Sequence, residues 1–99
     1  MMEKIKDYVD MLKSRRSILA CYYQGSIREF IPNVSDIDLI VITKDIFDTR
    51  NILPKEPDID LSLYPENIWR KGVYIKPLFR DYIFPLFEKK PYLNNIWNL

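Results

Sequence analysis

Asp36 and Asp38 stand two residues apart at the entry of an apolar run, Leu39-Ile40-Val41-Ile42. On an extended strand that spacing sends both carboxylates from one face, with Cα atoms about 6.5–7 Å apart. Like charges about 5 Å apart at an effective dielectric near 20 repel by on the order of 3 kcal/mol. A fold that keeps them close neutralises the pair with a cation or a shared proton. The same pattern returns as Asp58-Ile59-Asp60-Leu61. Asp60, lying deeper in that second strand, can bring a third carboxylate to the cluster. Asp58 is the competing candidate, although it follows Pro57 and suits a turn. Oxygen ligands with no His or Cys beside them fit Mg²⁺ or Mn²⁺, and with an open edge such a site supports two-metal phosphoryl or nucleotidyl transfer. The plainer reading of Asp36 and Asp38 is a solvated pair at a strand mouth.

Gly25-Ser26 closes the preceding apolar run, Ile18-Leu19-Ala20-Cys21-Tyr22-Tyr23. Glycine there lets the backbone approach a ligand closely. A serine opening a helix turn offers a hydroxyl and amide N–H groups to an anion. Ser26-x-x-Glu29 also reads as a capping box, and the two roles are compatible.

The elements that must position these residues are legible from periodicity. Ile5, Tyr8, Val9 and Leu12 fall on one face of a helix over about Glu3–Ser14. Acidic residues precede basic ones along it, the order the helix dipole favours. Ile18–Tyr23 is apolar enough for a strand covered on both faces, and Asp36–Thr43 is the clearest strand. A short helix is expected at Ile27–Phe30. Lys44–Pro57 reads as a loop, with a brief helix around Ile46–Thr49. Asp58–Tyr64 alternates, with Asp58, Asp60, Ser62 and Tyr64 on one face and Ile59, Leu61 and Leu63 on the other. Glu66–Lys71 reads as a short helix ended by Gly72. Val73–Lys76 is a candidate fourth strand, Leu78–Phe84 a helix interrupted at Pro85, and Pro91–Leu99 a helical tail carrying Tyr92, Leu93, Ile96 and Trp97. The expected architecture is a single α+β domain over residues 1–99, a small mixed sheet packed by helices: an αβαββ core followed by helical material.

Composition narrows the function. There is no His and one Cys among 99 residues, which excludes the usual zinc sites, His-based triads and disulfide frameworks. Cys21, mid-strand, reads as an inert buried thiol. With 15 Lys+Arg against 14 Asp+Glu the net charge is +1, so the whole molecule exerts no pull toward nucleic acid or membrane. No segment is apolar for the roughly 20 residues a bilayer demands, and the charged first residues lack a signal-peptide core. Cytoplasmic residence is the expectation. Arg15-Arg16 reads as a solvated helix end, with a polynucleotide contact as the sharper alternative. Lys71, Lys76 and Arg80 read as surface residues, with approach to a triphosphate as theirs. The aromatic tail suits the core or an oligomer contact.

Gly25-Ser26, nine residues, then Asp36-Ile37-Asp38-Leu39-Ile40-Val41 resembles the signature of the DNA polymerase beta-like nucleotidyltransferase superfamily, and its minimal single-domain members most of all. The resemblance covers roughly Ile18–Tyr64 and includes Asp60 in Ile59-Asp60-Leu61. It implies transfer of a nucleoside monophosphate from an NTP, with ATP expected, to a hydroxyl. Asp36 and Asp38 would bind both Mg²⁺ (or Mn²⁺) ions, Asp60 would bind one and activate the acceptor, and Gly25 and Ser26 would hold the triphosphate. Similar minimal proteins often pair with a helical HEPN-domain toxin, which implies an antitoxin role exerted by binding or adenylylating that partner; a homo-oligomer or a nucleic-acid acceptor are other possibilities. Two features depart from the pattern. Arg28-Glu29-Phe30 stands where an Ala-Arg-Gly stretch is common, and the gap to the acidic pair is one residue shorter than usual. The altered loop after Ser26 favours the alternative of a non-catalytic binding or regulatory module.

Overall fold

The computed structural model describes residues 2–24, 37–44, 53, 58–72 and 83–92. The first helix, α1 (Met2–Ser14), buries Ile5, Tyr8 and Leu12 along one stripe. Its end is tight: the Ser14 hydroxyl donates to the Met11 carbonyl at 2.6 Å, and the amides of Arg15 and Ile18 donate to the carbonyls of Leu12 and Arg15 at 3.1 and 3.2 Å. This turn delivers the chain into β1 (Ile18–Gln24).

The sheet has the order β3-β2-β1-β4, with β2 spanning Ile37–Thr43, β3 Ile59–Pro65 and β4 Ile83–Glu88. β2 and β4 run antiparallel to β1, and β3 runs parallel to β2, so the sheet is mixed. β1 and β2 lie in the middle, which is why both are near-continuous apolar runs buried on both faces. One face packs Cys21, Tyr23, Leu39, Val41 and Phe87 against the α1 stripe. The other packs Tyr22, Ile40 and Ile42 with Tyr64, Trp69 and Tyr92. A fully buried side chain such as Leu12 contributes about 2–3 kcal/mol by leaving water.

The alternation expected over Asp58–Tyr64 is observed in β3. Ile59, Leu61 and Leu63 pack toward α1, whereas Tyr64 joins the opposite core. A five-residue helix, α2 (Glu66–Arg70), follows at once. It ends where the Gly72 amide donates to the Trp69 carbonyl at 3.1 Å, with Gly72 at φ 75°, a conformation that a Cβ would penalise.

One expectation is overturned. Phe84 is not the end of a helix broken at Pro85; Ile83–Glu88 is a strand that contains the proline. The physical reason is position. β4 is an edge strand, and its register with β1 shifts between Cys21 and Tyr22, where Pro85 pairs, so the missing N–H interrupts no central ladder. The expected helices at Ile27–Phe30 and Ile46–Thr49, the strand at Val73–Lys76 and the tail beyond Tyr92 lie outside the described residues. Among the described residues no helix is long and apolar enough to cross a membrane.

Candidate functional site

Asp38 follows buried Ile37 and precedes buried Leu39, both packed toward α1, so its side chain leaves the opposite face of the sheet. Asp60 repeats the arrangement between Ile59 and Leu61, which pack toward α1 as well. The parallel ladder sets Asp38 directly opposite Asp60, and the antiparallel ladder sets Gln24 opposite Asp38. Three polar residues, Gln24, Asp38 and Asp60, therefore form one row across β1, β2 and β3 at the end where β2 and β3 begin. Adjacent strands lie about 4.8 Å apart. Both carboxylates are exposed, so solvent weakens their mutual repulsion from the interior figure to about 1 kcal/mol. Each takes part in a polar or electrostatic interaction.

Asp58 sits in the turn just before β3. Its backbone carbonyl accepts from the Ile37 amide at 2.8 Å and fastens the mouth of the β2–β3 pair, fixing the register that brings Asp38 and Asp60 together. Asp36, Gly25 and Ser26 lie outside the described residues. Among the described residues no group of three or more His, Cys, Asp or Glu side chains is placed to hold a metal; Asp38 and Asp60 form a pair. Gln24 is the member of the row that the sequence reading did not single out. Its signal was there, since it is the chain's only Gln and the polar residue at the end of the β1 apolar run.

Farther along the same face, beyond Ile40 and Ser62, the sheet is covered by aromatic side chains. Trp69 stacks on Tyr22 at 6.3 Å and meets Tyr64 edge-on at 5.3 Å. Its indole N–H donates to the Tyr92 carbonyl at 3.1 Å. The Tyr22 hydroxyl donates to Glu88 Oε2 at 2.5 Å, and the Tyr92 hydroxyl donates to Glu66 Oε2. Burial, reinforced by Glu88, holds the Tyr22 phenol far above its usual range, so it stays a neutral donor. The Cys21 thiol, packed on the α1 side, is pushed by burial up to about 12 and is no nucleophile at neutral pH. On this face Asp38 and Asp60 present exposed carboxylates at one end, and Glu88 lies at the other, engaged by Tyr22.

No family model and no curated protein matches the chain. Among solved structures it is similar to a "putative nucleotidyltransferase" from Sulfolobus solfataricus, at 24% sequence identity and a TM-score of 0.53, over 88% of this chain and 87% of that one. With its mixed four-stranded sheet between two helices, the chain has a nucleotidyltransferase-like fold.

Proposed function

We propose that the protein transfers a nucleoside monophosphate from an NTP, with ATP as the expected donor, to a hydroxyl acceptor. The observation that carries this reading is the register of Asp38 against Asp60. Asp38, Asp60 and Asp36, the residue that precedes Ile37 in the chain, would hold Mg²⁺ or Mn²⁺. An exposed all-oxygen donor set suits a hard cation. When bound, such an ion offsets phosphate charge and acidifies the acceptor hydroxyl.

In the proposed reaction the acceptor oxygen forms a bond to the α-phosphorus while the bond from that phosphorus to the bridging oxygen breaks, and pyrophosphate leaves. Asp60 takes the acceptor's proton, and Asp38 would serve as a ligand of the divalent ion. Gly25 and Ser26, which follow Gln24 in the chain, would bind the triphosphate. Asp60 is preferred to Asp58 because it is Asp60 that pairs with Asp38, whereas Asp58 belongs to the turn. The acceptor in this reading is a hydroxyl on a helical HEPN-type partner protein in the cytoplasm, and the transfer neutralises that partner.

The test is incubation with α-labelled ATP and Mg²⁺, with and without a HEPN-type partner. Label should appear on an acceptor together with released pyrophosphate, and vanish in Asp38→Ala and Asp60→Ala variants that melt like the parent. Transfer that survives both substitutions defeats the proposal. NTP binding with no transfer to any acceptor would leave the regulatory module that Arg28-Glu29-Phe30 favours.

A further inference from the structure

We infer that the end of the sheet opposite the Asp38–Asp60 row is a docking surface for the phosphodiester backbone of a nucleic acid. Three separate stretches of chain meet there. The Lys44 amide donates to the Ser17 carbonyl at 2.9 Å, the Lys89 amide donates to the Leu19 carbonyl at 2.8 Å, and Lys89 Nζ donates to the Arg15 carbonyl at 2.8 Å. These bonds gather Lys13, Arg15, Arg16, Lys44 and Lys89 around the start of β1. Lys13, Arg16, Lys44 and Lys89 are exposed. The Arg15 guanidinium lies back along α1, its Nε 3.3 Å from Met11 Sδ. Partial burial lowers the Lys89 ammonium's pKa first, and the charges of Lys44 and Lys13 lower it further, as expected where cations crowd.

Among the described residues, the acids nearest this group are engaged elsewhere or stand apart from it. Glu88 accepts from the Tyr22 hydroxyl and the Tyr92 amide. Glu66 accepts from Tyr92 and pairs with Arg70 and Lys90. Asp10 stands a turn earlier on α1. Among the described residues, Lys13, Arg16 and Lys44 make no ion pair. Among the described residues, Asp38, Asp58 and Asp60 lie at the mouth of β2 and β3, and this group of cations gathers six residues away along β2, about 20 Å from Asp38.

The chemistry of the patch selects the partner. Protein interfaces are built on apolar and aromatic anchors and deplete Lys at their centres. Here the exposed large hydrophobic among the described residues, Leu86, sits in mid-β4 and not at this end. Exposed Lys and Arg around a patch without apolar anchors suit phosphate oxygens, whose binding depends on charge and not on base identity.

The test is fluorescence anisotropy of the full chain with two labelled probes, a single-stranded oligoadenylate RNA and a duplex DNA of mixed sequence, across a salt series. Engagement of about four phosphates of the single strand gives a log–log slope near −3, so affinity should fall about 50-fold for a fourfold rise in salt. Arg16→Glu with Lys44→Glu should weaken binding at least about tenfold and flatten that slope; Lys44→Gln should do so partially. Lys6→Glu, on an exposed part of α1 outside the cluster, should leave binding within about twofold. Asp38→Ala should bind the probes normally, which separates this inference from nucleotidyl transfer. Binding of only one probe still supports the proposal and identifies the backbone preferred. Absence of binding to both probes at low salt, indifference to the double charge reversal, or capture of a polyglutamate peptide in preference to both nucleic acids would overturn it, the last assigning the patch to an acidic protein.

Discussion

Asp38 and Asp60 gain their significance from register. A one-residue slip of β3 against β2 would turn Asp60 toward α1 and Leu61 outward, so the acidic pair and the apolar core are specified by the same alternation. Because both carboxylates are exposed, amide substitution of either should change metal-free stability by less than about 1 kcal/mol. The discriminating measurement is a thermal melt with Mg²⁺ or Mn²⁺. At a hundredfold excess over the dissociation constant, binding stabilises by about 2.7 kcal/mol, a rise of more than about 10 °C for a domain of this size. Asp38→Asn with Asp60→Asn should abolish the rise; a shift that persists places the metal elsewhere. Thr43 gives a second test at this scale. Its hydroxyl is buried with no hydrogen-bond partner, an arrangement that costs about 1–3 kcal/mol. Thr43→Val keeps the shape and removes the hydroxyl, so denaturant midpoints should rise by an amount equivalent to about 1 kcal/mol; a loss would reveal a partner for that oxygen.

At the scale of elements, α2 is too short to persist alone; it is held by what it touches. Trp69 anchors it in the core, and Glu66 receives Tyr92 from the segment after β4, while Arg70 lies 5.9 Å from the centre of the Tyr92 ring. The Tyr92 hydrogen bond, helped by Arg70 and Lys90 against partial burial, holds the Glu66 carboxyl below its ordinary value. Tyr92→Phe should therefore raise the Glu66 pKa toward that value in a carboxyl-resolved NMR titration and lower stability by about 1 kcal/mol, since the acceptor is partly solvated. An unmoved Glu66 would show that the lysine and arginine, not the phenol, set its ionisation. What the sequence made legible follows the same division. α1, β1, β2, β3 and α2 each carry a periodic or uninterrupted apolar pattern, or a terminator such as Gly72, and all were read nearly to their ends. β4 was not, because Pro85 is a helix-breaker in isolation and acceptable in a strand only at an edge, and edge position is a property of the assembled sheet. The acidic spacing was legible for the same local reason as its strands. The opposition of Asp38 and Asp60, the place of Gln24 in their row and the cationic gathering at the far end depend on pairings between distant segments, which no local pattern encodes.

The whole molecule couples these parts through its buried ionisable groups, and the sign of that coupling can be worked out. Cys21, Tyr22 and Tyr92 are all raised above their ordinary values of 9.0, 10.0 and 10.0, each chiefly by burial. Above pH 9 the unfolded chain begins to release these protons while the folded chain keeps them, so the folded state binds more protons and stability falls as pH rises. Each group adds up to about 1.4 kcal/mol per pH unit to the decline. Lys89, lowered from its ordinary 10.5 by partial burial and by Lys44 and Lys13, acts in the opposite sense below that pH, one group against three. On the acid side Glu66 is lowered from its ordinary 4.5, so its contribution is present above that pH and disappears as pH falls below it. The stability profile should be a plateau from about pH 5 to 9, with a gentle acid limb and an alkaline limb that steepens once the tyrosines join Cys21. Urea midpoints measured across that range test it. Cys21→Ala should remove the earliest part of the alkaline decline, leaving the part above pH 10; a profile whose alkaline limb begins unchanged in that variant would mean that the tyrosine clasp around Glu66 and Glu88, and not the thiol beneath α1, first feels the rising pH.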